Sequence, residues 1–111
     1  MLNGVYAALV TPFDAHGDLV GGLLRDHVEW LIAKGIDGLY ICGNTGQGLY
    51  QSVAERRHVA EIVKDQVRGR CEIIAHVAAL ATRDAVALAR HAEAIGLDAV
   101  ASLPPIYWSY R

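Results

Sequence analysis

A chain of 111 residues suits one domain with one core; 53% of it is hydrophobic and 20% charged, and its formal net charge is −2. The basic residues Arg25, Arg56, Arg57, Lys64, Arg68 and Arg83 are interspersed with acids, which excludes the concentrated positive surface that nucleic acid or an anionic membrane would need. No apolar run approaches the roughly 18 residues of a spanning helix, and Met1-Leu2-Asn3-Gly4 lacks the regions of a signal peptide, so a cytoplasmic protein is expected.

Aromatic residues make up only 7%, so the core must be built from Ala, Val, Leu and Ile, which suits helices packed on a parallel sheet. Cys42 and Cys71 each lie in an apolar segment and read as buried, reduced thiols. The histidines His16, His27, His58, His76 and His91 have no paired metal-ligand spacing, so no metal site is expected.

The first element is the apolar run Val5 to Val10, a buried strand ended by Thr11-Pro12. From Val20 the apolar positions Val20, Leu23, Leu24, Val28, Leu31 and Ile32 recur at three and four, the pattern of an amphipathic helix that closes at Gly35. Gly38 to Cys42 is the second strand, and the glycine-rich run Gly43-Asn44-Thr45-Gly46-Gln47-Gly48 is the loop behind it. Ser52-Val53-Ala54-Glu55 is a capping box that opens a second helix with the stripe Val59, Ile62, Val63 and Val67, ended by Gly69. Glu72 to Val77 is the third strand. Thr82 caps a third helix with the stripe Val86, Ala89, Ala92 and Ile95, which stops at Gly96. Ala99 to Leu103 is the fourth strand, and Pro104-Pro105 breaks the pattern before the aromatic segment Ile106 to Tyr110.

Gly35-Ile36-Asp37-Gly38-Leu39 is echoed by Gly96-Leu97-Asp98-Ala99-Val100, so the same kind of helix-to-strand loop occurs twice. Strands that alternate with helices imply parallel pairing through right-handed crossovers. Four strands and three helices are too few to cover both faces of an open sheet. A complete (β/α)8 barrel takes about 250 residues. The expectation is therefore α/β, the N-terminal half of a parallel (β/α)8 TIM barrel, with residues 1–111 forming a single incomplete domain.

In such a barrel the active site lies at the carboxyl ends of the strands. Of the segments there, the glycine loop carries the most chemistry: its backbone can approach a ligand closely, and N–H groups beside the Thr45 hydroxyl can hold a carboxylate or phosphate. It is neither a Walker A sequence nor a dinucleotide fingerprint, and a purely structural turn remains open on composition alone.

The combination of Ala8-Leu9-Val10-Thr11-Pro12-Phe13, Gly43-Asn44-Thr45-Gly46-Gln47-Gly48, Ser52-Val53-Ala54-Glu55-Arg56 and Pro104-Pro105-Ile106-Tyr107 resembles the dihydrodipicolinate synthase and N-acetylneuraminate lyase family. The resemblance runs from Gly4 to Tyr107. Gly46 to Ser52 and Ile74-Ala75-His76-Val77 look more like the lyase branch. It implies a class I aldolase mechanism, in which a lysine amine forms a Schiff base with the keto carbon of pyruvate or a 2-keto acid, with no metal or organic cofactor. It places the pyruvate carboxylate on Asn44 and Thr45, where Asn44 stands in place of the usual Thr or Ser and Gln47 in place of the usual Glu. It makes Tyr107 a catalytic residue that relays protons in a neighbouring subunit and implies a homotetramer; for Trp108 and Tyr110 packing is preferred over shaping the substrate mouth or the subunit contact. His76 reads as a hydrogen-bonded core residue.

The resemblance also puts the Schiff-base lysine on a sixth strand and a shuttle tyrosine on a fifth, whereas Lys34 and Lys64, the lysines of this chain, fall on helices. The chain alone is expected to be inactive. N-acetylneuraminate-like cleavage comes first among the implied reactions, then other sugar-derived 2-keto acids, then aspartate-semialdehyde condensation. Noncatalytic small-anion binding or a degenerate remnant are the alternatives. Because half a barrel leaves an apolar face and strand edges open, the 111-residue chain should self-associate; a monodisperse monomer in sedimentation that melts cooperatively would contradict this.

Overall fold

The computed structural model describes residues 2–104. Strands β1 (Tyr6–Ala8), β2 (Gly38–Ile41), β3 (Glu72–His76) and β4 (Ala99–Ala101) form one parallel sheet in the order β1-β2-β3-β4, joined through helices α1 (Gly21–Ala33), α2 (Val53–Val67) and α3 (Thr82–Ala94). Each crossover advances the sheet by one strand in the same direction. Right-handed crossovers that never reverse place every helix on one face, and α1 packs on α2 and α2 on α3 there. This is the curving layer of a barrel, and the described residues form the N-terminal half of a parallel (β/α)8 barrel.

The pleat sorts the side chains. Leu39 and Ile41 of β2 and Ile73 and Ala75 of β3 are buried beneath the helices with Leu24, Val28, Val59, Val63 and Leu88. The other face carries cross-strand layers. One is Tyr6, Gly38 and Glu72, where the Tyr6 hydroxyl donates to the Glu72 carboxylate and a Cβ on Gly38 would come within 2.2 Å of the Tyr6 ring. Above it lie Ala8, Tyr40, Ile74 and Ala99, then His76 and Ala101.

The α2 start is as expected: Ser52 Oγ accepts from the Glu55 N–H at 3.0 Å, and Glu55 Oε1 accepts from the Ser52 N–H at 2.9 Å. Gly35, Gly69 and Gly96, just past the three helices, adopt positive φ. Other expectations need correction. β1 and β4 are shorter than the apolar runs that contain them. Thr82 is the first helical residue of α3 and caps nothing; Ala81 holds the cap position without a side-chain bond. Leu23 and Val86 are exposed, while Leu88 is buried in α3. Arg56, one of the basic residues interspersed with acids, is buried. Cys42 is buried as expected, but Cys71 is only partly so.

The echoed loops share a function in the fold. Asp37 Oδ2 accepts from the Val5 N–H at 2.7 Å while the Asp37 N–H donates to the Val5 carbonyl at 2.8 Å. Asp98 does the same with Ile73, at 2.8 and 3.0 Å. Each Asp clasps the strand before its own, β1 to β2 and β3 to β4. Replacing Asp98→Ala removes a charge-assisted bond from the Ile73 N–H and should cost about 1–2 kcal/mol in urea unfolding; an unchanged midpoint would show that the clasp contributes nothing.

Candidate active site

Parallel strands bring all four carboxyl ends to one edge, where the glycine loop follows β2. The loop is compact because Gly46 and Gly48 lie against backbone and Gly43 against the Tyr40 ring. A Cβ on Gly48 would stand 1.9 Å from the Cys42 carbonyl oxygen, and one on Gly46 would stand 2.9 Å from the Leu9 carbonyl oxygen. The Gln47 N–H donates to the Asn44 carbonyl and the Gly48 N–H to the Gly43 carbonyl, both at 3.1 Å, before a 3-10 turn at Gly48–Tyr50. Cys42 and Gln47 both have a φ of 55°, left-handed geometry that is costly away from glycine. Such strain concentrates where function fixes the backbone.

Behind the loop lie Thr11, Gln51, Arg56 and His76, the buried polar side chains among the described residues. Thr11 Oγ1 donates to the Gly46 carbonyl at 2.6 Å and Gln51 Nε2 donates to the same oxygen at 2.9 Å, so segments after β1 and before α2 hold the loop from both sides. From α2, Arg56 donates to the Ala78 carbonyl at 2.8 Å and the His76 carbonyl at 2.5 Å. Burial pushes the Cys42 thiol up to about 11, against a smaller downward pull from Arg56, so it stays protonated and unreactive at neutral pH. Burial, assisted by Arg56, holds the His76 imidazole below its ordinary value, and its ring lies 6.0 Å from that of Tyr40. That favours the neutral imidazole at pH 7, but its Nδ1 is buried without a hydrogen-bond partner and the residue lines the cleft, so the expectation of a hydrogen-bonded core histidine needs correction.

Asn44 and Thr45 are exposed at the tip of the loop. Among the described residues neither backbone N–H has an acceptor, so both remain available to an anion. Asn44 lines an open cleft of about 400 Å³ with Gln47, Tyr50, His76, Leu80 and Leu103, which spans the ends of β2, β3 and β4; Thr45 sits beside this cleft rather than in its wall. Tyr107, Trp108 and Tyr110 lie outside the described residues. Lys64 Nζ donates to the Gly96 carbonyl at 3.0 Å and Lys34 Nζ lies 5.1 Å from the Trp30 ring centre, so both lysines serve helix ends away from the cleft. No group of three His, Cys, Asp or Glu side chains among the described residues could hold a metal ion.

Thr11, Gln51 and Arg56 went unassigned in the sequence although all three fall in or beside the quoted motifs. Arg56 had a readable signal. It stands three residues before Val59 and seven before Val63, on the buried stripe of α2, where a charged residue is out of place.

The family model described as the Dihydrodipicolinate synthetase family matches residues 1–111. N-acetylneuraminate lyase of Escherichia coli O1:K1 is 43% identical over 109 residues, 98% of this chain but 37% of that protein. The solved Proteus mirabilis N-acetylneuraminate lyase superposes with a TM-score of 0.94 at 38% identity, over 98% of this chain and 37% of its own. Dihydrodipicolinate synthase from Aquifex aeolicus does so with a TM-score of 0.90 at 31% identity, over 96% and 36%. The chain thus spans little more than a third of the length of these relatives.

The glycine contacts are separable by mutation. Gly48→Ala forces the new methyl into backbone and should cost about 3 kcal/mol, whereas Gly22→Ala, in α1 with nothing within 4 Å, should stabilise by about 0.5 kcal/mol. Urea titration of both variants checks the contrast; equal effects would mean that the loop yields freely.

Proposed function

The chain belongs to the dihydrodipicolinate synthetase family, and we propose that it is the carboxylate-holding part of a Schiff-base-forming aldolase that cleaves or forms a 2-keto acid. The observation that carries this reading is the pair of open N–H groups at Asn44 and Thr45, fixed at the carboxyl edge of the sheet beside a cleft. Two such donors on a rigid loop match the two oxygens of a carboxylate. The neighbouring keto carbon is then presented toward the barrel axis, where a lysine amine attacks it. The resulting iminium takes up the electron pair of the bond between the next two carbons as that bond breaks, becoming an enamine, and the enamine returns the pair to an aldehyde carbon when the bond forms.

That amine has to come from beyond these residues, since Lys34 and Lys64 are engaged elsewhere. The 111-residue chain alone is therefore inactive in this reading. Tyr107 relays protons between the reacting atoms and solvent, acting in a homotetramer in which it reaches a neighbouring subunit. N-acetylneuraminate-like 2-keto acids are the preferred substrates, supported by the 43% identity to a protein named N-acetylneuraminate lyase, ahead of a synthase-type condensation.

Incubation of the native polypeptide with pyruvate and borohydride, read by intact mass, tests the proposal. A polypeptide longer than 111 residues should gain one reduced pyruvate adduct, while the isolated chain should gain none. A full-length protein that binds pyruvate without any adduct would replace the aldolase by a reversible anion-binding domain.

A further inference from the structure

Arg56 is only 4% exposed, yet it has no carboxylate partner among the described residues. Two more exposed arginines do, Arg25 with Asp65 at 2.7 Å and Arg70 with Glu29 at 2.5 Å, and an exposed arginine without such a partner keeps its hydration, which Arg56 does not. Arg56 instead spends two donors on the carbonyls of His76 and Ala78, and its Nε finds no partner. A buried cation without a counter-charge is costly, and burial does depress its affinity for its proton. Tying two carbonyls together is a task that a neutral amide could share. The retained charge calls for a different account.

Its place supplies one. The guanidinium lies beside Cys42, which leads into the glycine loop, and beneath His76, which lines the cleft. Its field reaches both, favouring the thiolate of Cys42 and disfavouring the imidazolium of His76. Glu55, the acid next to it in sequence, is held in the capping box. Arg56 lines a second cleft, which adjoins the one at Asn44 through the shared Leu49 and Leu80; Asp84 also lines it, but no carboxylate among the described residues lies within salt-bridge distance of the guanidinium.

We propose that Arg56 is a positioning residue of the anion site, whose buried guanidinium, fastened to the His76 and Ala78 carbonyls, supplies the fixed positive charge that balances a carboxylate held on Asn44 and Thr45. This rests on the loop holding a carboxylate. The two N–H groups fix where the anion sits, and Arg56 makes the site select a charged ligand over a neutral one of the same shape. Because the carbonyl bonds immobilise it, the charge needs no rearrangement when ligand arrives.

The test is the dissociation constant of pyruvate and of its neutral amide, pyruvamide, for the native polypeptide and for Arg56→Gln and Arg56→Lys, with circular dichroism to confirm folding. Arg56→Gln should weaken pyruvate about tenfold or more and leave pyruvamide unchanged, while Arg56→Lys should stay within about threefold for both. Equal losses for both ligands, or a lysine variant as weak as the glutamine variant, would reduce Arg56 to a structural tie and overturn the proposal. Wild-type protein that binds no pyruvate would overturn the carboxylate loop itself and this inference with it. Should Arg56→Gln fail to fold, the Arg56 Nε–H resonance of the wild type decides: a shift on saturation with pyruvate and none with pyruvamide is expected, and no shift with either overturns the proposal.

Discussion

Each crossover in this chain moves the sheet forward by one strand and never turns back, and the placement of everything else depends on that. Right-handed connections of constant direction put α1, α2 and α3 on a single face. The opposite face is left to its own layered side chains, and all carboxyl ends meet at one edge. A doubly wound sheet made from similar elements would have reversed once and covered both faces, with its ligand crevice at the reversal. Here the site instead runs along the whole edge, and the ends of β2, β3 and β4 all contribute to one cleft.

The edge is polar where the remainder of the core is apolar. Thr11, Gln51, Arg56 and His76 bury their side chains there, and each of the first three donates to a backbone carbonyl of a loop or strand end. Loops lack the ladder that satisfies strand carbonyls, so a loop packed against a core must find donors elsewhere. The Gly46 carbonyl finds two. With the Gln47 N–H on the Asn44 carbonyl and the Gly48 N–H on the Gly43 carbonyl, the loop is held without using the Asn44 and Thr45 N–H groups.

Much of this was legible in the residues. The Ser52-to-Glu55 box, the glycines after each helix and the stripe of α2 state their roles through local hydrogen bonding and a period that packing respects. Apolar period failed at Leu23 and Val86 because it marks a face without saying whether a neighbour lies against it; Val86 stands in an outer groove between α3 and β4 with Ala89, Leu97 and Val100. Strand ends were overestimated since Val10 and Leu103 are apolar yet exposed beyond the last ladder pairs. The site was visible only in part. Asn44 and Thr45 sit in a loop whose glycines advertise it, whereas Thr11 and Gln51 act on a carbonyl 35 and 5 residues away, a relation that no local pattern encodes.

The repeated aspartate clasp bears on how such a chain could have been assembled. Asp37 joins β1 to β2 and Asp98 joins β3 to β4, each through a reciprocal pair of bonds. The β2 and β3 strands meet differently, through the Glu72 N–H on the Asp37 carbonyl. A break in the stretch between α2 and β3 would leave both clasps whole, while a break inside either doublet would sever one. The clasped doublet is therefore the unit that duplication or recombination could copy intact, and Arg56, which reaches from α2 to the end of β3, marks a contact made between two such units.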